Sequence, residues 1–397
     1  MQFQIKRSFQ LNSFKDLSLE FIKSLDDVCE HELFPLCKDR SFYVSRPWLL
    51  AIERLRGGDT GYIVCRNQTG QLLGLLPIYW GKPSSRGLYE PYKRFLERSG
   101  GHFHQKDWTP TVIIGSRAAY TCEFLINPNI NNEAEESRVL ESMIEAANIF
   151  TKNQGATSIS CLYMNEKGRR QLHDVIEDKN NFFIVGANAV LDIEFNSIEE
   201  YQDYIKWRRG IRRERSIFDA KGYTVDSSKL GDSMQIFAQL FANHENKYGH
   251  NTSAENEIKE LQILKDTAND FSHVIYLKRE DVVVGCVLLF LWGKTIYART
   301  VGFDFNVVGD GYEYFNLAYY EVIRFAILNG YKHVEYGMGT YRAKLKRGAR
   351  LEPLWGYICS NSQPSPLNNS IFKDWDHERY HAVKTANISE LERIEFP

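Results

Sequence analysis

The stretch YGMGTYRAKLKRGA, Tyr336 to Ala349, closes an apolar strand signal with Gly337 and Gly339 and then sets out Arg342, Lys344, Lys346 and Arg347, with Arg350 just beyond. Lys344 and Arg347 are three apart, so on a helix they share a face and can grip one carboxylate or phosphate. A solvated basic turn has the same pattern, because charge runs are commonly surface. In IIGSRAAYTC, Ile113 to Cys122, Arg117 and Tyr120 follow Gly115 at a strand end, which suits a carboxylate or phosphate contact and equally an ordinary turn. Proton-transfer groups are fewer. Glu313 and Tyr314 stand at the start of the predicted helix YFNLAYYEVIRFAILNG, and Glu335 and Tyr336 at the end of the strand in KHVEYGMG. A carboxylate at either place could take the proton of an attacking amine, directly or through water. A glutamate at a helix start is also simply a favourable charge at the dipole.

YIKWRRGIRRERSIFDAKGYTV reads as a helix from Tyr204 to Lys221, with Tyr204, Trp207, Ile211 and Phe218 as an apolar stripe and Arg208, Arg212 and Arg215 as a basic one beside it. Such a row could track an RNA backbone or an anionic carrier protein, or pair with nearby carboxylates on a surface helix. HENKYGH groups His244, Glu245, Tyr248 and His250, but its spacing is not that of a zinc helix, so no metal is expected. No Ser-His-Asp set, P-loop or dinucleotide fingerprint stands in the required context, which leaves hydrolase, kinase and dehydrogenase readings without support.

The elements that must position these residues occur twice. GYIVCRNQTGQLLGLLPIYW, Gly61 to Trp80, reads as strand, turn, strand, and HVIYLKREDVVVGCVLLFLW, His273 to Trp292, reads the same way, each with a Gly early in its second strand (Gly74, Gly285). Each hairpin is followed by an amphipathic helix, SRVLESMIEAANIFTKN in the first half and YFNLAYYEVIRFAILNG in the second, and then by a buried strand. In the second half TIYARTVGFD adds a third strand through the Trp292-Gly293-Lys294 turn, so that the strand ends converge near Tyr297 to Thr300, including Arg299, and Tyr336 to Thr340. The expected architecture is α/β: two duplicated domains, 1–195 and 196–397, the second with a C-terminal helical tail, each a mixed, mostly antiparallel sheet flanked by helices.

With 397 residues, 43% hydrophobic and 25% charged, the chain can build two cores, and a net charge of -2 gives no whole-molecule attraction to polyanions. Seven scattered cysteines without CxxC spacing argue against a disulfide framework and point to a reducing cytoplasm. MQFQIKRSFQ lacks the apolar core of a leader, and VVVGCVLLFLW is too short to span a bilayer, so no transmembrane segment is expected.

The repeated order, the basic helix YIKWRRGIRRERSIFDAKGYTV, the central GFDFNVVGDGYEYFNLAYYEVIRFAILNG and the closing YGMGTYRAKLKRGA resemble the GNAT (acyl-CoA N-acyltransferase) fold in its tandem form, and within it the Fem peptidyltransferases of peptidoglycan biosynthesis. The resemblance implies two tandem GNAT-like domains and direct attack of an amine on an activated acyl or aminoacyl group, in the cleft between the domains. It maps the family's acceptor-holding lysine onto Lys344. The GNAT pyrophosphate turn is replaced by VVGDGYEYF, where Asp310 and Glu313 stand at the phosphate position, so free CoA is expected to bind poorly and the donor to be an aminoacyl-tRNA or an acyl-carrier protein. An ordinary acetyl-CoA-dependent N-acetyltransferase and a non-catalytic GNAT-like binding module are the alternatives. The expected roles are Glu313, Glu335 and Lys344 in catalysis; Arg117, Tyr120, Arg299, Tyr314, Tyr336 and Arg347 on the substrate; and Arg208, Arg212 and Arg215 on the donor. No tightly bound cofactor is expected, the acyl donor being a co-substrate and a small amine the acceptor.

Overall fold

The computed structural model describes residues 8–9, 16–81, 89–97, 101–118, 120–130 and 132–393. Apart from Ser8 and Phe9, the stretch MQFQIKRSFQ lies outside them. The chain forms two compact units, Met1–Ala187 with Glu352–Pro397, and Asn188–Leu351. This division differs from the expected 1–195 and 196–397. The last strand and the C-terminal helices cluster with the first unit, because that strand pairs with a first-half strand.

In the first unit the strands are β1 (Ser8–Phe9), β2 (Leu17–Ile22), β3 (Thr60–Asn67), β4 (Leu72–Tyr79), β5 (Thr111–Ile114), β6 (Leu125–Ile126), β7 (Ser158–Met164) and β8 (Phe182–Asp192), which runs on into the second unit. They are ordered β1-β2-β3-β4-β5-β7, followed by Arg350–Ser360 and then β8, with β6 on β4. The β5–β7 pair is parallel, from Thr111 opposite Ser158 to Ile113 opposite Ser160, while β2–β3, β3–β4 and β4–β5 are antiparallel. The helix Glu133–Asn153, capped by the Asn132 side chain accepting from the Ala134 N–H, supplies the crossover. It lies so close to β4 that a Cβ on Gly74 would meet Met143 at 2.8 Å.

The second unit repeats the plan. It holds β9 (Thr224–Ser228), β10 (Ser272–Arg279), β11 (Val282–Trp292), β12 (Thr295–Phe303) and β13 (His333–Gly337), ordered β8-β13-β12-β11-β10-β9. β10, β11 and β12 form the expected antiparallel meander, and β13 returns parallel to β12. Between them the central helix has three segments: Glu313–Phe315, a π-helical turn over Asn316–Glu321, and Val322–Leu328. Gly330, at φ 68°, follows its end. A Cβ on Gly285 would meet Phe303 at 2.8 Å and Leu317 of the central helix at 3.3 Å. The two glycines of the sequence repeat thus do the same job: each lets a crossover helix settle on its sheet. The strands of both units belong to one mixed, mostly antiparallel sheet flanked by helices, not to the separate sheets expected, because β8 runs on from the first unit into the second.

The helix expected over Tyr204–Lys221 is broken. Ile198–Tyr204 and Arg208–Asp219 are separate, and Tyr204 is exposed rather than part of the buried stripe, which Ile211 and Phe218 continue.

Candidate active site in the second unit

β12 and β13 pair over Thr295–His333, Ile296–Val334 and Tyr297–Glu335 and then part, although β12 continues to Phe303. Among the described residues no strand covers this edge of β12 from Ala298 onward. Both strands carry an extra residue at the fork. Leu288 and Leu289 of β11 face Thr300 and Ala298, leaving Arg299 as the bulge of β12. Val190 and Ala189 of β8 face Glu335 and Gly337, leaving Tyr336 as the bulge of β13. Bulges bend a strand and redirect a side chain, and they are over-represented beside active sites.

Tyr336 is half-buried, its ring 5.0 Å from that of Tyr319, and its buried hydroxyl has no hydrogen-bond partner among the described residues. Burial raises its pKa well above the ordinary tyrosine value, so the hydroxyl keeps its proton and remains a donor. Glu335, also half-buried, accepts from Asn188 Nδ2 at 2.9 Å. Tyr314 packs 6.0 Å from Tyr319 and 6.2 Å from Phe303, continuing an aromatic wall along the central helix. Arg299 is half-buried at the β12 bulge. Tyr336 and Tyr314 therefore share the Tyr319 ring as neighbour, while Glu335 and Arg299 stand at the strand positions beside the fork.

Three expected site residues have other employment. Lys344 is 5% exposed, and its ammonium donates to the carbonyls of Tyr336 (2.8 Å), Gly337 (3.0 Å) and Met338 (2.8 Å). All three of its N–H donors are used, so it holds the end of β13. Burial pushes its pKa down to about 7, while the carbonyl acceptors favour the charged form. Arg347 is 2% exposed and closes a buried ion pair with Glu214 at 2.6 Å. Tyr320 donates to the same carboxylate, Arg347 Nη1 donates to the Ala343 carbonyl at 2.9 Å, and the guanidinium sits 3.9 Å from the Phe315 ring centroid. Arg347 is thus a core cross-link between the basic helix, the central helix and the segment after β13. Glu313, 3% exposed, accepts from the Tyr223 hydroxyl at 3.0 Å and from the Gly311 N–H at 3.1 Å. Its carboxylate is thus engaged by Tyr223 and by the turn just ahead of its own helix.

Sequence reasoning missed Glu214, which reads as one more charge in RRERS but is buried at 4% exposure. Its place one residue before Arg215 on a helix with Ile211 and Phe218 inward was the available signal. Of the basic row, Arg208 and Arg212 are exposed, with Arg212 paired to Asp203, and Arg215 is half-buried within the field of Glu321. Arg209 and Arg213 are exposed as well, which widens the row.

The engagement of Glu313 bears on CoA. Its carboxylate already takes the Gly311 N–H in the turn before the central helix, and Asp310 is paired with Lys221 at 2.8 Å. Calorimetry with CoA and acetyl-CoA is expected to show no micromolar binding; micromolar binding would mean that Glu313 yields this turn to phosphate.

Residues 36–371 match a family model described as FemAB-like, "Peptidogalycan biosysnthesis/recognition". The chain belongs to the FemAB-like family. The FemAB-like fold is found in solved structures as well: FemX, with a TM-score of 0.57 at 11% identity over 86% of this chain and 97% of that one; a conserved protein of unknown function from Bacteroides thetaiotaomicron VPI-5482, 0.55 at 11% over 86% and 99%; and L-PGS from Bacillus licheniformis, 0.52 at 12% over 89% and 97%. At these identities the likeness concerns the fold alone. No curated protein matches the sequence. No described helix of this FemAB-like chain is long and apolar enough to cross a membrane.

Proposed function

We propose that this FemAB-like protein transfers an acyl or aminoacyl group from a macromolecular donor, an aminoacyl-tRNA or an acyl-carrier protein, to the amine of a small acceptor in cell-envelope or natural-product biosynthesis. The observation that carries the reading is the parting of β12 from β13, which leaves a strand edge open beside two bulges. An extended acyl or aminoacyl chain laid along that edge can hydrogen-bond to it as an added strand would. The acceptor nitrogen attacks the donor carbonyl, the C–N bond forms and the C–O or C–S bond breaks. The nitrogen's proton passes to Glu335, directly or through water, and the leaving oxygen or sulfur ends protonated, with the Tyr336 hydroxyl donating to the charge that develops at the fork. Lys344 keeps the Tyr336–Met338 carbonyls turned away from that charge.

Transfer is direct in this reading, and the thiols support it. Burial raises Cys37 to about 12 and Cys65 to about 11, and holds Cys161 and Cys286 well above the ordinary thiol value, so none of these is an activated nucleophile. Donors of either kind are cytosolic, so the proposal carries a cytoplasmic location with it.

The exposed arginines of Arg208–Asp219 are the donor contact in this reading. Reversing Arg208 and Arg212 to Glu is expected to raise the KM for a polyanionic donor, flatten its salt dependence and leave turnover at saturation nearly intact, with a small thioester donor unaffected. Equal loss with both donors would assign the helix to the fold or the acceptor, and normal activity with both would make the arginines plain surface.

A further inference from the structure

In the first unit Arg117 stands just past β5, after Gly115 (φ 87°) and before Ala118, a non-glycine residue held at φ 63°. It is 5% exposed, yet among the described residues it forms no ion pair with a carboxylate, and its wholly buried Nη2 has no hydrogen-bond partner. A desolvated guanidinium without a partner is costly, and native proteins almost always satisfy such groups. Its surroundings sharpen the point. The guanidinium carbon lies 6.0 Å from the Tyr89 ring centroid, Tyr89 packs 5.1 Å from Tyr163, and Tyr163 packs 5.8 Å from Tyr120. The Tyr79 hydroxyl, at the β4 end beside β5, is buried without a partner as well, and it lies within the field of Arg117 and Arg56. Burial first, and the like charge of Arg56 second, lower the Arg117 pKa to about 10, with Tyr79, Tyr89 and Glu90 opposing more weakly. Arg56 itself is committed, donating to the Trp80 carbonyl at 2.7 Å with Asp59 3.9 Å away.

We propose that Arg117 and the Tyr79 hydroxyl form a buried receptor for a carboxylate of a small ligand, with Tyr89, Tyr163 and Tyr120 as its aromatic wall. The planar fork of a guanidinium fits the two oxygens of a carboxylate, and the hydroxyl adds a donor. One uncommitted guanidinium neutralises one negative charge, which favours a monoanionic carboxylate over a phosphate dianion. The site lies within the first unit and does not depend on the transfer chemistry assigned to the second.

Thermal unfolding of the full chain in acetate, chloride and phosphate at equal ionic strength tests this. Acetate is expected to raise Tm more than chloride or phosphate does. Arg117→Met is expected to abolish that acetate-specific increment while keeping, or raising, Tm in chloride, because it removes an unsatisfied buried charge. Arg117→Lys, which keeps the charge but loses the fork, retains a smaller increment. No acetate increment in the wild type, or one that survives in Arg117→Met, would overturn the receptor. A phosphate increment larger than that of acetate would overturn its assignment to carboxylates, and a large Tm loss for both variants in chloride would make Arg117 structural.

Discussion

Tyr336→Phe is expected to lower turnover by about 10²–10³-fold, the effect of removing one donor aimed at a developing oxyanion or leaving group, with KM little changed. Stability should stay level or rise slightly. Among the described residues the buried hydroxyl has no partner, so its loss removes a desolvation penalty and breaks none of their hydrogen bonds. That combination separates the catalytic reading from a packing one: ring stacking on Tyr319 survives in phenylalanine, so a purely structural tyrosine would show no kinetic change. Unaltered turnover in a well-folded Tyr336→Phe would remove this hydroxyl from the reaction.

The opposite signature is expected at Arg347. Arg347→Met leaves the Glu214 carboxylate buried with only the Tyr320 hydroxyl as side-chain donor among the described residues, and breaking a buried pair from one side costs about 3–5 kcal/mol. Urea unfolding should show that loss. A double variant, Arg347→Met with Glu214→Leu, should lose less than the sum of the singles, since no unpaired charge remains. The KM of the folded fraction for either substrate should not move. A raised acceptor KM with normal stability would return Arg347 to the substrate.

The two residues differ in how far their roles could be read in advance. The repeat was legible because strand–turn–strand, amphipathic helix and buried strand each leave a periodic trace, and Gly74 and Gly285 marked where a helix presses on a sheet. The fork was partly legible, as Glu335, Tyr336 and Arg299 all stand near the predicted strand ends. What could not be read was direction. Lys344 and Arg347 share a helical face as their spacing requires, but that face turns inward, and nothing in YRAKLKRG distinguishes a basic wall facing a ligand from one facing backbone carbonyls and a distant glutamate. The partner of Arg347 is Glu214, more than a hundred residues away, and a long-range ion pair leaves no local pattern. The surroundings of Glu313 were hidden for a similar reason, because its carboxylate accepts from the Tyr223 hydroxyl, far away in the sequence, as well as from the Gly311 N–H. Bulges are equally silent, since one extra residue in a strand alters register without altering composition.

The most direct test of transfer at the β12–β13 fork follows both protein and product after the enzyme is mixed with labelled aminoacyl-tRNA or acylated carrier protein and a panel of small amines. Intact-mass measurement on the time scale of one turnover is expected to show unmodified protein, together with a new amide whose formation needs the amine and falls sharply in Glu335→Gln and Tyr336→Phe. Protein carrying the acyl group before any amide appears, or amide formed equally fast by both variants, would contradict direct transfer at the fork.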